Sequence, residues 1–302
     1  MVNSKRFKIF ACILLLLSLF LFFWYMFGSR QKSARYGLVL TTSTPVDIAV
    51  RRVSEGFDLD IRQLTNGYLD SHCCLDHFSL SPRDITDLEG ANLLVLSGAS
   101  FEKSLESQLD RYKNLIVLKS SDGIEIIKDE HGHENPWIWL SVPNHMEQVK
   151  NICSSLSKAF PSEKNRFGEN SGKYLEDLGK MFANWRAKFE KFSGKKILTL
   201  SNEFDYFLDS IGLIPVHLID EHHHDGSLSI SDLNSMKNII ETGGYKFYLI
   251  SSDSMIKSLD QINDSTGSRY IKLNTIKSQE KSYIDEMNKN FESLLSNCEE
   301  FL

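Results

Sequence analysis

Short β-rich runs alternate with stretches of helical periodicity along almost the whole chain. No other feature restricts the fold as much. YGLVLT (Tyr36–Thr41), LLVL (Leu93–Leu96) and LIVL (Leu115–Leu118) occur in the first half. KILT (Lys196–Thr199), Leu213–Leu218, KFYLI (Lys246–Ile250) and Tyr270–Leu273 occur in the second. A strand wetted on one face alternates polar and apolar residues. LLVL and LIVL are apolar at every position, which suits a strand covered on both faces, the usual state of a parallel sheet flanked by its crossover helices.

The helical patterns fall between these strands. Pro45 opens one in which Val46, Ile48, Ala49 and Val53 form a stripe, and Phe101–Tyr112 reads as a crossover helix. Met146–Phe160 is helical and stops before Pro161. The longest pattern covers 162–193, where Leu175, Leu178, Phe182, Trp185, Phe189 and Phe192 make an apolar seam on one face. Gly168, Gly172 and Gly179 weaken a coiled coil, so a single helix laid across a globular body is expected, stopped at Ser193-Gly194. Further helices are expected over Phe204–Ile211, Ile230–Glu241 with Ser229 or Ser231 as cap, Ser254–Ile262 and Lys281–Cys298. Two βα arrays flanking one long helix predict two α/β lobes. The expected organisation is an N-terminal lobe over 36–161, a linking helix over 162–193 and a C-terminal lobe over 194–302. Ligands of such sheets sit at the carboxyl ends of the strands, and with two lobes the natural site is the cleft between them.

The first 35 residues are of another kind. Lys5, Arg6 and Lys8 precede Ile9–Phe27, a run interrupted only by the small polar Ser18. At about 1.5 Å per residue such a helix nearly spans a hydrocarbon core of roughly 30 Å. It reads as an uncleaved membrane anchor or as a cleaved signal, with Gln31-Lys32-Ser33-Ala34 as a weak cleavage site. Cys12 precedes most of the run and is poorly placed for lipid attachment after cleavage. Either way the folded part is expected outside the cytoplasm. A net charge of −6 gives no pointer to nucleic acid, and six prolines without low-complexity sequence argue against disorder.

Two polar clusters offer metal-ligand chemistry, Asp129–Glu134 with His131 and His133, and Asp220–Asp225 with His222, His223 and His224. Imidazoles and carboxylates suit zinc, and carboxylates suit manganese. A solvated polar loop is the competing reading of each, since neither has helical His-x-x-x-His spacing. There is no Gly-x-Ser-x-Gly elbow, no phosphate-cradling Gly-Lys-Ser/Thr loop and no Gly-x-Gly-x-x-Gly, so an enzyme has no motif support. In LDHFSLSPRD, Ser81 is expected to cap a helix beginning at Pro82, with Asp84 closing a capping box. Cys73 and Cys74 are adjacent and unsuited to bridging each other; Cys153 and Cys298 can pair if their helices meet.

Several segments in order resemble the cluster-9 solute-binding proteins of bacterial ABC transporters, the zinc- and manganese-binding family. They are LVLTTSTPVDIAVRRV, HFSLSPRDITDLEGANLLVLSG, NPWIWLSVPN, the long helix, FDYFLDSIGL and SYIDEMNKNFESLL. The resemblance implies two Rossmann-like lobes joined by one long backbone helix, preceded by the hydrophobic signal or anchor helix. It implies a non-enzymatic, monomeric protein on the outer side of the membrane that captures zinc or manganese between its lobes and passes it to a membrane permease. It also implies four ligand positions, which fall on Asp76, Trp137, Ser201 and Asn274 in this sequence. Only Asp76 is a good ligand among them; an indole N–H donates and cannot ligate a cation, and Ser and Asn carry no charge. The usual site is therefore expected to be lost or rebuilt from Asp76, His77, His133, Cys73, Cys74 or Glu203. In the alternative reading the chain is a degenerate relative without the standard metal site, serving as an interaction protein or binding another small ligand.

Overall fold

A computed structural model describes residues 36–64, 80–219, 228–251, 256–277 and 282–301. The chain builds two four-stranded sheets, each entirely parallel. In the first, β1 (Leu38–Thr41) and β3 (Leu93–Leu96) are central, and β2 (Asp60–Gln63) and β4 (Ile116–Lys119) are the edges, in the order β2-β1-β3-β4. In the second, β5 (Lys196–Thr199) and β7 (Phe247–Ile250) are central between β6 (Ile214–His217) and β8 (Arg269–Lys272). Leu93–Leu96 and Phe247–Ile250 are buried along their whole length, as their unbroken apolar character predicts, and β1 and β5 are buried after their first residue. The edges depart from that pattern: LIVL, expected to be covered on both faces, supplies edge strand β4, where Ile116 and Val117 are 43% and 41% exposed, and other edges carry polar and irregular residues. β2 is Asp-Ile-Arg-Gln, and β6 contains Pro215, which an edge tolerates because it need not donate on its outer side.

The helices are α1 (Thr44–Val53), α2 (Pro82–Gly90), α3 (Lys103–Glu106), α4 (Val142–Ala159), α5 (Lys164–Phe189), α6 (Asp205–Ser210), α7 (Ile230–Gly243), α8 (Ile256–Thr266) and α9 (Tyr283–Phe301). The Ser81 cap forms: Asp84 N–H donates to Ser81 Oγ at 3.2 Å, and Ser81 N–H donates to Asp84 Oδ2 at 2.8 Å. Ser229 and Asp232 repeat the box at α7, which ends on Gly244 in the left-handed region.

The 26-residue α5 buries Phe167, Tyr174, Leu178, Trp185 and Phe189 on one face. Its early turns pack on α1 and α4, and later turns pack on α9, where Trp185 stacks on Phe291 at 5.5 Å and donates Nε1–H to Asn288. One apolar cluster therefore runs from Val39 under the first sheet, past α5, to Leu294 under the second. Two smaller clusters, around Leu40, Leu88 and Leu94 and around Leu198, Met236 and Tyr248, cover the outer faces.

The structure corrects the helix expected after β3 and answers the pairing of Cys153 and Cys298 that the sequence leaves open. The crossover after β3 is not one helix over 101–112 but the single turn α3 followed by a 3-10 turn at Leu109–Arg111. Gly98, Ala99 and Ser100 hold φ of 92°, 52° and 58°, so the chain leaves β3 through a left-handed turn that delays the helix. The bridge between Cys153 and Cys298 does not form; both are free thiols. Among the described residues no helix is long and apolar enough to cross a membrane; the 9–27 run lies outside them.

Candidate functional site

In each sheet the chain winds first to one side of a central strand and then to the other. β1 and β3 therefore form one topological switch point and β5 and β7 a second, and their carboxyl ends are where such sheets hold ligands. In the first lobe these ends lead into Thr41–Thr44 and the turn 97–102. Glu102 is fully buried beneath that turn, accepting from Ser97 N–H at 2.6 Å, Gly98 N–H at 2.9 Å and the Thr42 hydroxyl. Burial pushes its carboxyl up to about 7 against the pull of those donors. Ser100 Oγ donates to Glu134 Oε2 at 2.7 Å; that bond and Lys128 at 3.4 Å hold the Glu134 carboxyl below its ordinary value.

Glu134 leads into Asn135-Pro136-Trp137-Ile138-Trp139. Trp137 is 5% exposed and meets Trp139 edge-on at 5.3 Å, and Phe101 meets Trp139 from another side at 5.4 Å. Trp139 Nε1–H donates to the Thr275 carbonyl at 3.1 Å, a contact between the lobes. Thr44 Oγ1 makes another, to the Lys277 carbonyl at 3.3 Å.

The second lobe contributes oxygens. Ser201 follows β5, Ser251 follows β7, and half-buried Glu203 lies between them in the 3-10 turn Asn202–Phe204. Ser201 Oγ donates to Glu203 Oε2 at 2.5 Å and Ser251 Oγ donates to Oε1 at 2.8 Å, so the carboxylate is fixed at the carboxyl ends of both central strands. Asn274, after β8, is committed elsewhere. Its Oδ1 accepts from Ile276 N–H at 2.5 Å and its Nδ2 donates to buried Glu286. Asp205 pairs with His217 at 2.8 Å.

Of the residues singled out from sequence, Asp76, His77, Cys73, Cys74, His222, His223 and His224 lie outside the described residues. His131 and His133 are exposed on a turn closed by the Lys128–Glu134 bridge. His133 Nδ1 is 2.7 Å from Asp129 Oδ2, and the His131 and His133 amides donate to Asp129 Oδ1. Desolvation pushes the Asp129 carboxyl up, but the His133 ring and these amides outweigh it and leave it below its usual range. Among the described residues no three His, Cys, Asp or Glu side chains gather closely enough to hold a metal ion, so His133 and Glu203 do not complete a site together. Of the residues on which the resemblance puts ligand positions, Trp137 is packed in the core, Ser201 is bonded to Glu203 and Asn274 is held by its neighbours. The sequence reading missed Ser251, although its place directly after an apolar strand is a usable signal, and it missed Asn135 and Tyr206.

Residues 39–297 match the family of the zinc-uptake complex component A, periplasmic (ZnuA). The high-affinity zinc uptake system protein ZnuA of Bacillus subtilis is 25% identical over 297 residues, covering 88% of this chain and 89% of that protein. The manganese ABC transporter substrate-binding lipoprotein PsaA of Streptococcus pneumoniae is 23% identical over 199 residues; the match spans 62% of this chain and just under two thirds, 63%, of PsaA. The crystal structure of the Streptococcus pneumoniae AdcAII protein superposes with a TM-score of 0.74 at 20% identity, covering 88% of this chain and all of that one. With two parallel α/β lobes and a family match from the first strand into the last helix, the chain belongs to the ZnuA family of metal-binding solute-binding proteins.

Proposed function

We propose that this chain is the extracytoplasmic metal-binding component of an ABC importer, capturing a divalent ion such as zinc or manganese between its lobes and delivering it to a membrane permease. The family match and the zinc and manganese relatives support the class of cargo. The observation that carries the reading is Glu203, a carboxylate fixed by two serines at the carboxyl ends of β5 and β7. It stands two residues beyond the family's third ligand position, and it is the charged donor that the second lobe presents there among the described residues. In this reading Asp76 and His77 supply further ligands from the first lobe, and His131, His133 and His222–His224 act as auxiliary surface donors. The protein works as a monomer on the outer face of the membrane, secreted or anchored through residues 9–27. Residues 36–161 and 194–302 act as the two lobes, with α5 as the stiff connection that limits their motion.

A second reading is favoured by the state of Trp137, Ser201 and Asn274. In it the family's metal grip has been given up and the cleft serves an interaction or another small ligand. Thermal unfolding of the full chain in detergent, with zinc or manganese buffered by a chelator, separates the two. An ion held at about 100 times its dissociation constant adds roughly 2.7 kcal/mol. The first reading expects that shift, its loss in Glu203→Ala, and its retention when His131 and His133 are both changed to Ala. No shift with either ion overturns the first reading and favours the second.

A further inference from the structure

The loop that carries Trp137 and the turn that carries Glu203 are joined by one buried side chain. Asn135, 2% exposed, donates Nδ2–H to the Asn202 carbonyl at 2.9 Å and to Asp205 Oδ2 at 3.4 Å. Its Oδ1 accepts from Trp137 N–H at 3.0 Å. Its carbonyl accepts from the Tyr206 hydroxyl at 3.2 Å, and that hydroxyl accepts in turn from Ile127 N–H at 2.8 Å. Asp205 and Tyr206 are buried as well, and the other Asp205 oxygen is 2.8 Å from His217 Nε2. Every polar atom of the Asn135 side chain is used, and its bonds run both to its own loop and to the opposite lobe.

We propose that Asn135 is a positioning residue that sets the separation of the two strand-end loops and holds them together whether or not an ion is bound. Pulling the loops apart would take the partners from the Asn135 side-chain N–H, the Ile127 amide and the Tyr206 hydroxyl and leave Asp205 with His217 alone, at buried positions, so the separation is fixed in advance of the cargo. An ion therefore meets Glu203 at a set distance from the first lobe's loop and does not have to draw the lobes together. The consequence for ion release rests on the transport reading above; the clasp itself does not.

Hydrogen exchange on the full metal-free chain tests the clasp. The Ile127 and Trp137 amides are expected to be protected at least about 1,000-fold over an open loop, and manganese is expected to leave that protection unchanged. Asn135→Ala is expected to lower protection at Trp137 and Ile127 by roughly 100-fold while amides of β3 and β7 keep theirs. Tyr206→Phe, which removes one hydroxyl, is expected to deprotect Ile127 and spare Trp137, and it serves as the test should the alanine variant fail to fold. If the wild-type chain binds manganese, Asn135→Ala should release it to a chelator about tenfold faster, with the Asn135→Gln variant no rescue because its longer arm misplaces the loop. Unprotected Ile127 and Trp137 amides that become protected only on adding manganese would overturn the proposal, as would unchanged exchange at both amides in the variants. A chain that binds no ion but shows the predicted exchange refutes the transport reading and leaves the clasp standing.

Discussion

The His145 imidazole lies flat against the Tyr283 ring, with centroids 3.8 Å apart and planes inclined by 16°. Its Nε2 is 3.2 Å from the Tyr174 hydroxyl, and the Tyr283 hydroxyl donates to the Trp139 carbonyl at 2.7 Å. One stacked pair thus ties α4, α5, the start of α9 and the loop of Trp139. Burial pushes the imidazole down to about 3, against a weaker opposing pull from Gln148.

That depression makes His145 an acid-sensitive joint. Its folded pKa lies below the unfolded value of about 6.5, so the unfolded chain binds the extra proton between the two. The stability it contributes is complete above about pH 6.5 and is lost as pH falls toward about 3, at roughly 1.4 kcal/mol per pH unit. In His145→Phe, thermal unfolding from pH 7 to pH 4 should show a shallower acid limb than wild type. An equally steep limb would place the acid lability elsewhere.

Glu102 titrates in the opposite sense. Its folded pKa, pushed up to about 7, lies above its unfolded value, so its contribution is complete below about pH 4.5 and lost as pH rises through 7. Glu102→Gln replaces one accepting oxygen by a donor, so it costs either the Gly98 amide its acceptor or the Ser97 amide its shorter bond, leaving Ser97 only the Thr42 hydroxyl at 3.2 Å, at a cost of about 1–3 kcal/mol. The loss relative to wild type should be larger at pH 5 than at pH 8 in thermal unfolding. A loss that grows with pH would contradict the assignment.

Trp137→His puts an imidazole at the position where the resemblance implies the second ligand. Removing a buried indole should lower metal-free stability by about 3 kcal/mol or less, since the imidazole refills part of the space. Zinc affinity in chelator competition should rise by at least about tenfold, because a neutral imidazole is a good zinc ligand and an indole is none. No gain in affinity would show that the Trp137 position does not face the ion.

The fold was legible where burial leaves a local mark. Leu93–Leu96 and Phe247–Ile250 betray central parallel strands because both faces are covered, and Ser81-Pro82-Arg83-Asp84 announces its cap because the bonds span three residues. β2 leaves no mark in the sequence because an edge strand written Asp-Ile-Arg-Gln has no apolar run to show. The crossover helix was overdrawn because Glu102 bonds backward to Ser97 and Gly98, which no helical periodicity reveals. In the site, Glu203 could be reached from the resemblance and from its place after a strand. Asn135 could not, since its partners Asn202, Asp205 and Tyr206 stand 67 to 71 residues away and only folding brings them together.

The central claim is an ion held between the lobes at the carboxyl ends of the central strands. Anomalous difference density from crystals of the protein grown with manganese, and separately with zinc, addresses it directly. A peak within coordination distance of the Glu203 carboxylate, beside the loop of Trp137, is the predicted result. Density confined to the surface turn of His131 and His133, or no density with either ion, would contradict it.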